Sequence, residues 1–239
     1  MTSHFDRNAA WLRPVRVATT DGMYRQLPVI TPYPMPGPHQ LPVNIASWEP
    51  EPHRAALLIH DMQRYFLTSY PAGRPPLTDM LANTLVLRTV SDRTGIPVVY
   101  TAQPGGTPAE QRGLLTDFWG PGVPAGGEHH AIHHDLAPRP GDTVITKLRY
   151  SAFHRTPLLD LLRALGRDQI LLCGVYTHIG ILHTALDAFA HTVQPFLVAD
   201  ATADFTQRFH TDALEHAAGC CAVVTTTDRI RARLPHLPA

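Results

Sequence analysis

From Ala55 onward the chain alternates two hydrophobic rhythms. "AALLIHD" is an unbroken apolar run, the pattern of a strand buried on both faces. "LTDMLANTLVLRTVSDRTG" follows, with Leu77, Met80, Leu81 and Leu85 at helical spacing, and predicts a helix that turns those four inward. "IPVVYTA" and "DTVITK" read as the second and third strands. "TPLLDLLRALG" predicts a helix with Thr156 as N-cap, Pro157 at its first position, Leu158, Leu161, Leu162 and Leu165 on one face, and Gly166 as its stop. "QILLCGV" predicts a fourth strand, and "GILHTALDAFAH" a helix with Leu182, Ala185, Leu186 and Phe189 inward. "QPFLVADA", "TQRFHTDALEHAAG" and "CAVVTTTD" then read as strand, helix and sixth strand. Strict alternation predicts an α/β fold of three layers, α/β/α, around a six-stranded parallel sheet of Rossmann-like type.

The chain before about Trp48 has no such rhythm. "ITPYPMPGPHQLP" is too rich in proline for a helix and predicts extended backbone, laid over the domain or over a neighbouring subunit. Residues 1–29 read as an N-terminal extension, disordered up to about Pro28, and residues 30–239 as one domain.

Charge adds little to this picture. Lys+Arg and Asp+Glu are equal at 20 each, so no field points to nucleic acid or to a membrane surface. No apolar run approaches the roughly 20 residues that span a bilayer, and the N-terminus has no signal-peptide core. Cys173, Cys220 and Cys221 do not form a disulfide framework, since two are adjacent and the third lies in an apolar run. These features predict a cytoplasmic protein. Of the 15 His, the pairs in "GEHHAIHHD" read as a solvated loop rather than a metal site, with no cysteine or carboxylate cluster at ligand spacing.

Ligands of open α/β sheets bind beyond the carboxyl ends of the strands. Strand one delivers His60 and Asp61 there, strand two Gln103, strand three Lys147, strand four the turn Gly174 to Gly180, and strand five Asp200. The first four converge on one rim and offer an acid, an amide, an ammonium and a glycine-flanked turn. Each also has an ordinary reading, as a turn former or a solvated side chain.

Four segments sharpen the reading. "AALLIHDMQRYFL", "YTAQPGGTPAEQRGLLTDFWGPG", "TKLRYSAFHRTPLLDLLRALGRDQILLCGVYTHIG" and "DAFAHTVQPFLVADATADF" resemble the isochorismatase family, over about Ile30 to Asp228. The resemblance implies the isochorismatase-like hydrolase fold and a cofactor-free hydrolysis of a vinyl ether that releases pyruvate. It implies Asp61 as proton donor, with Lys147 beside it. Gln103, Arg112, Trp119, Lys147, Tyr150, Tyr176 and Gly180 match positions that line the family's pocket. Arg112 suits a bidentate carboxylate contact, and Trp119 with Tyr65 can enclose a ring.

Related amidases use a cysteine nucleophile on the turn after strand four. Here that position is Gly180, Ile181 cannot serve, and Cys173 comes several residues too early. No His follows strand two, so the amidase metal site is not expected either. Gly180 reads as room for substrate where a thiol would stand. The wider superfamily also implies a cis peptide at Val175–Tyr176. Two departures, Leu148 for Trp and Thr177 for Ala, lie beside the expected pocket.

The expected substrate is a small chorismate-derived molecule of a phenazine-type or siderophore-type pathway. It is 2-amino-2-deoxyisochorismate, giving trans-2,3-dihydro-3-hydroxyanthranilate. The alternative is isochorismate, giving 2,3-dihydro-2,3-dihydroxybenzoate. An alternative of another class is a non-catalytic binding module, against which the retained polar rim argues. The family resemblance also implies a homodimer.

Overall fold

A computed structural model of the protein describes residues 27–234, so the disorder expected of the leading segment lies mostly outside the described residues. Six strands form one parallel sheet: β1 (Ala55–His60), β2 (Val98–Ala102), β3 (Thr143–Thr146), β4 (Gln169–Val175), β5 (Gln194–Ala203) and β6 (Val223–Thr225). Their order across the sheet is β3-β2-β1-β4-β5-β6. The predicted three-layer fold is the one observed.

Alternate residues of the central strands feed two separate cores. Leu57, Ile59, Leu171 and Cys173 face one core, and Ala56, Leu58, Ile170 and Leu172 the other. That two-sided burial is why these strands read as unbroken apolar runs. Helices α1 (Arg64–Leu67), α2 (Leu77–Thr94) and α8 (Thr227–Arg233) pack on the first face; α5 (Leu158–Ala164), α6 (Leu182–Ala190) and α7 (Gln207–Cys220) cover the second.

Three helix expectations need correction. In α2 the innermost residues are Met80, Thr84, Leu87 and Ser91, while Leu77, Leu81 and Leu85 pack against the core from the rim. In α6, Phe189 points out and is 51% exposed; Ala185 and Ala188 fill the interface instead, because small residues let the helix lie close to the sheet. In α5 the residue preceding the helix is Pro157, yet Thr156 still caps it by accepting the Leu158 N–H at 3.2 Å.

The fifth strand runs past Asp200 to Ala203, with a register irregularity opposite Leu172 and Gly174. Asp200 therefore does not end a strand at the rim. Its carboxylate accepts from the backbone and hydroxyl of Thr227, both at 2.8 Å, and so anchors α8. The residue that leaves β5 at the rim is Asp204.

The proline-rich segment is extended and lies on its own domain. Ile30 N donates to Ser69 O, Asn44 exchanges two hydrogen bonds with Val224, and Ile45 N donates to Ala218 O. Tyr33 is buried, and its hydroxyl accepts the Asp204 N–H at 2.7 Å. Among the described residues no helix is long and apolar enough to cross a membrane.

Candidate active site

The chain reverses its direction of travel across the sheet between β1 and β4, and ligand sites form beyond the strand ends at such a point. The register brings the polar rim together there. His60 pairs with Thr101 on one side and with Gly174 on the other, and Ala102 pairs with Thr146. One residue further on, Asp61 and Lys147 meet across β2.

Asp61 and Lys147 form a buried ion pair, with Nζ 2.7 Å from Oδ2 and exposures of 4% and 2%. Thr101 donates to the other oxygen, Oδ1, at 2.6 Å and accepts the Asp61 N–H at 3.1 Å. Lys147 also donates to the Arg149 carbonyl at 2.9 Å and to that of Tyr150 at 3.3 Å. Asp61 sits in the left-handed region at φ 50, which Asp tolerates better than most residues. Burial alone would raise the carboxyl pKa. The Lys147 charge and the hydrogen bonds from Lys147 and Thr101 outweigh it, and hold the group below the ordinary carboxylate range.

A cleft of about 550 Å³, its mouth included, opens above this pair. All nine residues singled out from the sequence border it: Asp61, Tyr65, Gln103, Arg112, Trp119, Lys147, Tyr150, Tyr176 and Gly180. Helix α3 (Ala109–Arg112) carries Arg112, and α4 (Leu115–Trp119) carries Trp119. Arg112 is 5% exposed and donates through Nε to the Gly120 carbonyl at 2.9 Å. No carboxylate pairs with it among the described residues. Burial pulls its pKa below the ordinary value, and only the Tyr65 hydroxyl opposes this. A cation so placed has the charge and the free donors to accept an anion. Gly122 makes the placement possible: at φ 73, an added Cβ would stand 2.1 Å from Arg112 Nη1.

Aromatic side chains form the rest of the wall. Trp119 donates to the Tyr150 hydroxyl at 2.7 Å, and the Tyr176 hydroxyl donates to the Phe66 carbonyl at 2.8 Å. Phe205 packs 4.3 Å from the Tyr176 ring, centroid to centroid. Gln103 is held by its backbone: Gln63, fully buried, accepts from its N–H at 2.7 Å and donates to its carbonyl at 2.8 Å.

The peptide Val175–Tyr176 is cis, as the superfamily resemblance implies. The reading of Gly180 changes. It borders the cleft, but the direction a side chain would take runs into the His60 ring, 2.2 Å from Cε1. The space is filled by imidazole rather than left open for substrate. Leu148 and Thr177 are not on the cleft wall. Sequence reasoning missed Thr101, Gln63, Gly122 and Phe205. A hydroxyl within the buried run "IPVVYTA" was the available signal for the first.

No cysteine stands on the cleft wall. Cys173 is fully buried in β4, and burial pushes its thiol up to about 12, so it is neither reachable nor ionised. In the loop of His pairs, His133, His134 and Asp135 bring their ligand-type atoms together, with His134 and Asp135 exposed to solvent. None of the three lines the cleft.

Comparison with known proteins agrees with this arrangement. Residues 55–229 match the family model of the isochorismatase domain. The phenazine biosynthesis protein PhzD1 of Pseudomonas aeruginosa is 51% identical over 204 residues, covering 85% of this chain and 98% of that protein. The isochorismatase of Bacillus subtilis is 49% identical over 213 residues, covering 89% of this chain and 68% of that protein. Among solved structures, a cysteine hydrolase from Pseudomonas syringae shares the fold, with a TM-score of 0.71 at 23% identity, over 81% of this chain and 97% of that one. A domain match over most of the chain, with relatives near half identical, leaves one conclusion: the chain belongs to the isochorismatase family.

Proposed function

We propose that this protein hydrolyses the enolpyruvyl ether of 2-amino-2-deoxyisochorismate, giving trans-2,3-dihydro-3-hydroxyanthranilate and pyruvate. The observation that carries the reading is a buried Asp61–Lys147 pair facing a cleft whose nucleophile position is a glycine. With no thiol to form a covalent intermediate, the pair suits acid–base chemistry.

An enol ether needs one proton at its terminal methylene carbon. Asp61 supplies it, and the positive charge that develops is an oxocarbenium ion. Water adds to the ether-bearing carbon of that ion, not to the new methyl group, and returns a proton to the Asp61 carboxylate. The hemiketal then collapses, its C–O bond breaking with a proton passing to the ring oxygen, and pyruvate leaves. In the free protein Asp61 is a carboxylate, because Lys147 holds it so. A substrate carrying two carboxylates reverses the balance: one competes for Lys147, and both add negative charge beside Asp61. The acid therefore takes up its proton as substrate binds. Arg112 holds the second carboxylate, while Trp119 and Tyr65 enclose the ring.

Isochorismate is the second reading, favoured by the near-equal identity to the Bacillus subtilis isochorismatase. The two substrates differ by an amine for a hydroxyl, and comparing kcat/KM for both decides between them. For the shared chemistry, Asp61→Asn keeps the shape and removes the acid. Pyruvate release, coupled to lactate dehydrogenase, is expected to fall by about 10²–10⁴-fold. An Asn variant of near-normal rate would remove Asp61 from the mechanism.

A further inference from the structure

One fully buried polar side chain at the site has no part in this chemistry. His60 lies between Asp61 and the turn that carries Gly180. Its Nδ1–H donates to the Val175 carbonyl at 2.8 Å, which fixes the tautomer and leaves the lone pair on Nε2. Nε2 is buried and has no hydrogen-bond partner. The same ring is 3.8 Å from Asp61 Oδ2, the oxygen that Lys147 holds. It also fills the place of any side chain at position 180, whose Cβ would stand 2.2 Å from Cε1 and 2.9 Å from Nε2.

We infer that His60 is a positioning residue: a neutral imidazole, wedged between Asp61 and Gly180, that keeps both water and any side chain at position 180 away from the acid. The kinetic half of this inference rests on the proposed function; the steric half does not. The groups around Asp61 are few. Lys147 reaches it from the end of β3, the Thr101 hydroxyl from β2, and the un-ionised Tyr176 lies beyond the end of β4. A second cation beside Lys147 would hold Asp61 more firmly as a carboxylate and oppose its protonation. Burial, against the partial support of Asp61, keeps the ring's pKa at about 4, so it is neutral where the enzyme would work. A hole in the same place would admit water, which solvates a carboxylate and lowers its affinity for a proton. A neutral ring avoids both outcomes. It also explains why position 180 is glycine independently of the missing thiol.

The test uses His60→Asn, which keeps a donor for the Val175 carbonyl and removes the outer half of the ring. Gly180→Ala is made in the wild-type and in the His60→Asn background, and melting is followed for all four proteins. Alone, Gly180→Ala is expected to lower Tm by about 5 °C or more through overpacking. In the His60→Asn background it is expected to cost less than half as much. An equal cost in both backgrounds overturns the steric claim. Should Gly180→Ala not fold alone, recovery of folding in the His60→Asn background supports the pairing, and failure there overturns it.

The kinetic arm is the pH profile of pyruvate release from isochorismate. With water admitted beside Asp61, the alkaline limb of kcat, which reports the substrate-bound protein, is expected to move about one unit toward acid in His60→Asn. A merely structural histidine would lower Tm and leave that limb in place, and this result overturns the positioning role. If the wild-type protein releases no pyruvate, the proposed function fails and the kinetic claim with it, while the melting cycle still decides the steric one.

Discussion

Under the proposed function, Arg112 is a single residue built for something the free protein lacks. A guanidinium this buried, with one carbonyl as its hydrogen-bond partner and no carboxylate beside it, costs stability until an anion arrives. Arg112→Gln is therefore expected to leave Tm unchanged or raise it, while KM for the dianionic substrate rises tenfold or more. A KM within twofold of wild type would remove Arg112 from substrate binding. At this scale the sequence is legible: the eight residues that the family resemblance points to, and Tyr65 with them, border one cleft. What it could not supply was the layer beneath. Gln63 is informative only once it is seen clasping both backbone groups of Gln103, a residue 40 positions away. Gly122 is likewise explained only by the guanidinium lying over it.

At the scale of elements, legibility followed burial. β1 and β4 read correctly because both their faces are covered, and a run such as "QILLCGV" has no competing pattern. Errors arose where an element is covered on one side or continues through polar residues. Phe189 follows the helical period yet points outward, and Asp200 looked like a strand end because sequence alone does not show that Thr227 satisfies its carboxylate inside the fold. The proline-rich arm is a further case: its extended form was predictable, its attachment point was not. Tyr33 fastens it to Asp204, whose carboxylate accepts from His178 N and Phe205 N at 2.6 and 2.7 Å and so braces the cleft wall. Tyr33→Phe strands the buried Asp204 N–H. It is expected to cost about 1–3 kcal/mol, read as a Tm drop of roughly 3–10 °C. An unchanged melt would show that the arm does not need this tie.

For the whole molecule, two buried histidines set the response to acid. His60 and His210 are both held at about 4 by burial, His60 partly supported by Asp61 and His210 by Asp204. In the unfolded chain each takes up a proton below its ordinary value of about 6.5. The unfolded state thus binds more protons between those limits, and stability falls as pH is lowered through that window, by about 3 kcal/mol per histidine at its acid end. Asp61 adds to this lower down: its pairing stabilises the fold above the ordinary carboxylate pKa, and that contribution fades as acid protonates it. Melting curves from pH 7 to pH 4 should show a steady decline in Tm; a flat profile would contradict the burial of neutral imidazoles. The seclusion of Cys173 carries a last consequence. Among the described residues no sulfur lines the cleft, so peroxide or an alkylating electrophile, the ordinary poisons of thiol hydrolases, meets no thiol there. Turnover in this protein should persist through oxidative conditions that silence enzymes of the same architecture.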